Sequence, residues 1–294
     1  MRVAIVSATP ALGADDDEPF LLPALRTLGA DPAVVVWDDP SLDWAAFDVV
    51  VIRSTWDYTM RRDEFLAWVR LTDEVTRLRN RPEVVRWNSD KVYLGDLAGF
   101  GLPVVPTWFF APGADPVMPA GGPFVVKPTV SAGSRNTARY APEEQAVAED
   151  HARDLLDRGR TIMVQPYVSS VDERGETALI FIGGRYSHAV TKAALLLPGE
   201  RANEDKLFAI EKLHATQASA AELEVAETVL DAIPFSRADL LYARVDLVLL
   251  DDGPAVLELE LVEPSLMLPQ APPGAADRLA RAIVAVADRR GFED

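Results

Sequence analysis

The chain contains no cysteine. Disulfide frameworks, thiolate nucleophiles and cysteine-based zinc sites are therefore excluded. Histidine is nearly absent: His151, His188 and His214 are scattered, which argues against a histidine metal cluster. Basic residues are scarce beside acidic ones, 29 Lys and Arg against 46 Asp and Glu, for a net charge of -17. Such a surface repels nucleic acid phosphates and anionic lipid. If the chain binds an anionic nucleotide, its few cations must be gathered in one site and helped by a metal ion. No run approaches ~18 uninterrupted apolar residues, so no membrane span is expected. The N-terminal strand is followed too soon by Asp15-Asp16-Asp17-Glu18 to read as a secretory leader. The expected compartment is the cytoplasm and the expected partner a small molecule; the sequence leaves the oligomeric state open.

What is present is a globular composition, 49% apolar over 294 residues, enough for two or three small domains. Residues 1–85 alternate strand and helix patterns: strands at 3–7, 32–37 and 49–53, helices at 18–28 (ending at Gly29) and 61–79. This suggests a partly parallel sheet with ligand groups at its strand ends. A helical pattern follows at 88–100, then a turn and strand at 101–106. A Pro/Gly-dense loop at 111–123 precedes a strand at 124–127, a helix at 142–157 and a strand at 161–165. Two hairpins, 176–192 and 242–262, precede an amphipathic helix at 275–290 with Gly291 just past its end.

The second hairpin carries the strongest pattern. A three-residue loop, Asp251-Asp252-Gly253, pairs Asp246 with Glu258 and Arg244 with Glu260 and sets all four on one face. The other face then carries Val245, Leu247, Leu249, Leu257, Leu259 and Leu261, while Val248, Leu250 and Val256 continue the charged face. Three crowded carboxylates repel one another unless a cation joins them, and oxygen-only ligands suit Mg2+. Taken alone, the pattern fits equally well a solvated, salt-bridged face with Arg244 as partner.

Four weaker patterns accompany it. Lys127 ends a strand and leads into Ser131-Ala132-Gly133-Ser134, a loop small enough for backbone N–H groups to approach phosphate. It is not a Walker A motif, and an ordinary flexible loop reads the same way. Gln165-Pro166-Tyr167-Val168 is an extended linker with one carbonyl acceptor at Pro166 and one N–H donor at Val168, matching an adenine edge; a plain strand end is the alternative. Glu176 and Lys192 stand at the outer ends of the first hairpin. Its Gly183-Gly184 turn, in its default two-residue form, would put Glu176 opposite Thr191, so their sharing a face requires a bulge or a longer loop. Lys91 alone is an unremarkable lysine.

The ordered set Lys91, Lys127 with its loop, residues 165–168, Glu176, Lys192, Arg244-Val245-Asp246 and Glu258-Leu259-Glu260 resembles the ATP-grasp superfamily over residues 86–294. The resemblance implies an α/β (α+β) ATP-grasp fold: a Rossmann-like pre-ATP-grasp domain at 1–90, a linker and lid at 91–165, and a core at 166–294. It implies ATP and Mg2+ as cofactors. Lys91, Lys127 and Lys192 would touch phosphate, with Ser131, Gly133 and Ser134 beside them. Gln165, Pro166, Tyr167 and Val168 would read adenine, Glu176 would hold ribose, and Arg244 would steady the transferring phosphoryl group. Asp246, Glu258 and Glu260 would hold the metal; Glu260 stands where asparagine is frequent in the superfamily. A narrower resemblance, to the D-cycloserine-forming ligases of actinobacteria, rests on Arg53-Ser54-Thr55-Trp56-Asp57-Tyr58, Arg86-Trp87-Asn88-Ser89-Asp90-Lys91, Ser131-Ala132-Gly133-Ser134-Arg135 and Glu258-Leu259-Glu260-Leu261-Val262-Glu263-Pro264-Ser265. It implies ring closure of O-ureido-D-serine with ATP, through an acyl phosphate. Positions at strand ends and in loops nominate Ser7, Arg53, Thr55, Trp56, Tyr58, Arg135 and Ser265 for the amino-acid-like substrate. Two other functions fit the same residues: a ligase joining two separate amino-acid-like molecules, which would consume two organic substrates, and a non-catalytic nucleotide-binding regulator, which would bind ATP without releasing ADP.

Overall fold

The computed structural model describes residues 1–194 and 212–288. Three sheets follow one another along the chain. The first is built from β1 (Arg2–Ser7), α1 (Glu18–Thr27), β2 (Asp31–Val36), β3 (Val49–Ser54), α2 (Arg62–Val75) and β4 (Leu78–Arg79). Its order is β2-β1-β3-β4 and every pairing is parallel. β1 beyond Arg2 and all of β3 are buried, as two-sided burial demands of parallel strands. The helix expected over 61–79 stops at Val75: Thr76 turns extended and the fully buried Leu78 joins β3 as an edge strand. The helix expected over 88–100 begins only at Tyr93, as α4 (Tyr93–Gly99); α3 (Pro82–Asn88), which was not expected, precedes it, and Lys91 lies in the break between them.

The second sheet contains β5 (Trp108–Phe110), β6 (Phe124–Pro128), β7 (Ala138–Tyr140), α5 (Gln145–Asp157) and β8 (Ile162–Pro166). It is antiparallel with order β5-β8-β6-β7, and α5 packs its Ala148, Ala152, Leu155 and Leu156 on one face. β5 and β7 have three residues each, too few to show a period in sequence.

The third sheet follows α6 (Ser170–Arg174) and contains β9 (Glu176–Ile182), β10 (Arg185–Lys192), β11 (Leu213–Thr216), α7 (Ala220–Ala232), β12 (Tyr242–Leu250) and β13 (Gly253–Glu260); α8 (Ala275–Asp288) comes last. Positions 289–291 of the expected closing helix and its stop lie outside the described residues. The strands run antiparallel in the order β11-β10-β9-β12-β13. α7 covers one face; α8 lies on the other, between this sheet and the first. α7 was not anticipated, although its start is written in the sequence: Ser219 accepts from the Glu222 N–H and Glu222 accepts from the Ser219 N–H, a reciprocal cap.

Both hairpins reach their working register through a bulge. Gly183 and Gly184, with φ of 57° and 73°, make the two-residue turn that pairs Ile182 with Arg185. The register then shifts between Tyr186 and His188, and the extra residue brings Lys192 opposite Glu176. Arg278 donates to the bulged Ser187 Oγ and thereby holds the bulge against α8. In the second hairpin the expected three-residue loop is instead a two-residue turn, with Gly253 paired to Leu250. A shift between Asp246 and Leu247 restores the expected Asp246–Glu258 and Arg244–Glu260 pairs. The side chains between the turn and the bulge change face. Val256 enters the core with Val245, Leu247 and Leu259, while Leu257 joins Val248 and Tyr167, the reverse of the sequence assignment.

β13 is an edge strand, and its open backbone is covered. Asn88 donates to Leu259 O and accepts from the Leu261 N–H, Tyr93 Oη accepts from the Leu259 N–H, and Val256 exchanges hydrogen bonds with Pro103 and Val105. The break between α3 and α4 thus has a physical reason: its flanking side chains hold β13, and Lys91 is left facing the same strand.

Candidate active site

A cleft of about 410 Å³ lies where the three sheets meet. β6 contributes Lys127, the loop after it Ser131, Gly133 and Ser134, and the connector after β8 contributes Gln165, Pro166, Tyr167 and Val168. The third sheet supplies Glu176, Lys192, Arg244, Glu258 and Glu260, and the first sheet's loops supply Trp56 and Tyr58. Lys91 and Ser265 complete the part of the nominated set that lines the cleft; Ser7, Arg53, Thr55, Arg135 and Asp246 do not. Trp56 and Ser265, 209 positions apart in sequence, are brought together, which requires all three sheets in place.

The positive and negative groups neutralise one another. Lys91 Nζ lies 3.0 Å from Glu258 and donates to Ser131 O at 2.7 Å, tying the loop to β13. Lys192 Nζ is 2.8 Å from both Glu176 and Asp246. Arg244 grips both oxygens of Asp246, at 2.9 and 3.0 Å, and reaches Glu260 at 2.5 Å and Ser265 O at 3.2 Å. Lys127 has no carboxylate within ion-pair distance among the described residues, and loss of solvation lowers its pKa despite the attraction of Glu258. Burial works against the charge of Asp246, but Arg244 and Lys192 outweigh it and hold the pKa at about 2. Burial also opposes Glu258, and Lys91 and Lys127 together keep it below its ordinary value. Glu260 goes the other way: burial, aided by Glu258 and Asp246, raises it to about 7 against the pull of Arg244.

Backbone geometry serves the same cleft. Gly133, Ser134 and Asn136 have left-handed φ of 60°, 61° and 56°, and the tight loop they make closes on itself through Arg135 N–H to Ala132 O and Thr137 N–H to Ser134 O. Gly175, at φ 73°, is needed because a Cβ there would run into the Lys192 carbonyl; it lets the chain enter β9 with Glu176 beside Lys192. Tyr167 is fixed by a 2.6 Å hydrogen bond to Asp172 and by the Arg139 guanidinium over its ring. Among the described residues the Val168 N–H next to it donates no hydrogen bond, leaving the donor of the adenine reading available.

Several sequence assignments are corrected. Arg53 does not reach the cleft: it is 1% exposed, pairs with Asp17 at 2.6 Å and Asp15 at 3.7 Å, and donates to Pro264 O. The chain at 15–17 folds over the end of β3, so the strand-end position is capped. Ser7 is buried against Ser54, and Thr55 is also fully buried. Arg135 is not part of the lining; it lies close enough to Arg160 to lower that residue's pKa, after burial. Asp246 sits behind the cleft wall at 1% exposure. The three carboxylates do share a face, but they do not converge: among the described residues no group of three or more His, Asp or Glu is arranged to hold a metal ion. Mutual repulsion explains this, because each carboxylate turns instead to a lysine or to Arg244.

Several lining residues were not nominated, Asp15, Asp16, Asn88 and Glu263 among them, and Glu263 is the informative one. Glu263 follows β13, where strict alternation would turn it away from Glu258 and Glu260; the strand ends at Glu260 and the chain bends, bringing it to the cleft. Burial, with Glu260 and Glu258 nearby, raises its pKa to about 8. A raised carboxylate pKa lowers stability wherever the group is ionised in the folded state. The penalty from Glu260 and Glu263 is full above about pH 8 and is relieved as pH falls through their folded values toward the unfolded value near 4.5. Asp246 contributes the opposite sign, but its stabilisation is lost only below about pH 4. The ligand-free protein is therefore expected to melt at a higher temperature at pH 6 than at pH 8, with Glu263→Gln flattening the difference. Equal melting temperatures at the two pH values would contradict this assignment.

Comparison with known proteins agrees with this architecture. Residues 3–80 match the family described as the N-terminal domain of D-cycloserine synthetase DcsG. The cycloserine biosynthesis protein DcsG of Streptomyces lavendulae is 41% identical over 297 residues, covering 96% of this chain and 97% of that protein. The crystal structure of D-cycloserine synthetase DcsG superposes with a TM-score of 0.87 at 38% identity, over 98% of this chain and 99% of that one. The D-alanine–D-alanine ligase of Bacillus anthracis complexed with ATP shares the fold at 13% identity, TM-score 0.68, with 98% of each chain covered. The RimK domain ATP-grasp protein of Sphaerobacter thermophilus shares it at 20% identity, TM-score 0.66, over 97% of this chain and all of that one. No helix among the described residues is long and apolar enough to cross a membrane. With its three-sheet frame, its lysine- and carboxylate-lined cleft and this likeness over nearly its whole length, the chain belongs to the D-cycloserine synthetase family of ATP-dependent ligases with the ATP-grasp fold.

Proposed function

We propose that the protein closes O-ureido-D-serine into D-cycloserine, using ATP and Mg2+ and losing the carbamoyl group as CO2 and NH3. The observation that carries this reading is the convergence of Lys91, Lys127, Lys192 and Arg244 on one cleft walled by Glu258 and Glu260. Lys91, Lys127 and Lys192 bind the triphosphate, helped by the N–H groups of the left-handed loop around Gly133 and Ser134. Pro166 O and the Val168 N–H read adenine, and Glu176 receives the ribose. Residues 91–165 act as linker and lid, 1–90 as the substrate-facing domain and 166–294 as the core.

The donor set fits Mg2+, which takes oxygen ligands and usually only one or two carboxylates beside phosphate. Glu258 and Glu260 line the cleft, and burial, with Glu258 and Asp246 nearby, raises the pKa of Glu260 even against its pairing with Arg244. These two would hold the ion, with Asp246 joining only on release from Arg244 and Lys192. Bound there, Mg2+ would neutralise phosphate charge. The substrate carboxylate attacks the γ-phosphate, and Arg244 and the lysines stabilise the transferring group. Nitrogen of the same molecule then takes the acyl group and releases phosphate, and one water is consumed in freeing the carbamoyl group as CO2 and NH3; the protein's task is placement and shielding of the acyl phosphate from premature hydrolysis.

ADP release with O-ureido-D-serine as the sole organic substrate tests the proposal. One D-cycloserine is expected per ADP. ADP release that requires a second amino acid would point to the condensing ligase, and ATP binding with no ADP release under a panel of amino acids to the regulator.

A further inference from the structure

Glu263 lines the same cleft as the cations and forms an ion pair with none of them among the described residues. It is nine-tenths buried, lines the cleft and has no hydrogen bond or ion pair to its carboxylate among the described residues. Its nearest cation, Lys91, is already committed to Glu258 and Ser131 O. Arg244 is likewise committed to Asp246 and Glu260. A buried carboxylate is costly unless paired, so an unpartnered one facing a ligand cleft calls for a cation from the ligand.

The backbone around Glu263 is fixed rather than adaptable. Trp56 Nε1 donates to its carbonyl, Arg53 donates to Pro264 O, and Asp17 accepts from the Leu266 and Leu268 N–H groups. The buried Arg53–Asp17 pair, displaced from substrate contact, thus holds in place the segment that carries Glu263. Trp56, Tyr58 and Ser265 line the cleft with it, as do Asp15 and Asp16 from the same N-terminal loop, so this region offers negative charge and aromatic surface.

We propose that Glu263 receives the ammonium group of the substrate and so makes the ligase selective for amino acids over the corresponding acids without an amino group. The proposal rests on the reading of the cleft as an amino-acid-activating site, and its test separates the two. Binding of O-ureido-D-serine and of 3-(ureidooxy)propanoic acid, the same molecule lacking the amino group, is measured by calorimetry on the ADP- and Mg2+-loaded protein. Turnover is measured in parallel by ADP release. The wild type is expected to prefer the amino-bearing ligand by at least about 10-fold. Glu263→Gln is expected to remove most of that preference by raising KM, with kcat and ADP affinity changed less, and Glu263→Asp to restore part of it. An unchanged preference in Glu263→Gln, or a fall in kcat alone with KM intact, overturns the proposal. Preferential binding without turnover in the wild type, lost in Glu263→Gln, supports Glu263 and rejects the cyclisation. Failure of the wild type to bind either ligand overturns both. Circular dichroism and ADP affinity confirm that each variant is folded.

Discussion

Lys127→Met is expected to reduce ADP release by about 100-fold or more while leaving the fold intact. Lys127 lies next to the end of β6, in the cleft, and has no carboxylate within ion-pair distance among the described residues. Its charge is therefore not consumed by the protein and is available to phosphate, whereas Lys91 and Lys192 must first leave Glu258, Glu176 and Asp246. Burial lowers its pKa, so the folded state gains nothing from keeping this ammonium solvent-poor and unpaired. Methionine keeps the unbranched stem and removes only the charge. The melting temperature of the ligand-free protein should hold steady or rise, and ATP affinity should fall together with turnover. Unchanged affinity and rate in a folded Lys127→Met protein would remove this residue from the nucleotide site.

The second large effect separates two carboxylates that look equivalent in sequence. Glu258→Gln should lower Mg2+-dependent turnover by about 100-fold, because it takes away a full negative charge from the position proposed to hold the ion. From the sequence, this substitution would be expected to relieve repulsion and leave the ligand-free protein as stable or more so. The structure reverses that expectation. Glu258 is favourably paired with Lys91 at 3.0 Å and its pKa is lowered, so neutralising it should cost stability and leave Lys91 without its carboxylate. The repulsion is borne by Glu260, whose pKa is raised to about 7. Glu260→Asn should therefore leave the ligand-free melting temperature at pH 8 unchanged or higher. Its loss of turnover should be milder, because the amide keeps a carbonyl oxygen. Thermal melts without ligand and Mg2+ titrations of ADP release decide the point. Full Mg2+-dependent activity in Glu258→Gln would dismantle the metal site as drawn.

Residues nominated by their order along the chain largely came together: Lys91, Lys127, residues 165–168, Glu176, Lys192, Arg244, Glu258 and Glu260 all line one cleft. Their legibility has a local cause. A charged residue on an otherwise buried strand is costly, so it stands out against Val and Leu neighbours. The parallel first sheet was legible for a related reason, since two-sided burial writes itself as continuous apolar runs. What the sequence could not carry was register. A bulge adds one residue and reverses every side chain beyond it, yet leaves composition and periodicity almost unchanged. Two bulges decide that Lys192 faces Glu176, that Leu257 faces the cleft and that Val256 does not. Distance in sequence hid the rest. Arg53 looked like a substrate ligand at a strand end until Asp17 and Pro264, 36 and 211 residues away, enclosed it. Glu263 lay just past the expected hairpin, and only the bend after Glu260, where β13 ends, brings it to the cleft. The sequence by itself determined which chemical groups the protein has and which elements carry them. The tertiary structure alone decided which of those charges neutralise one another and which face the ligand, because that depends on packing between segments that share no local signal.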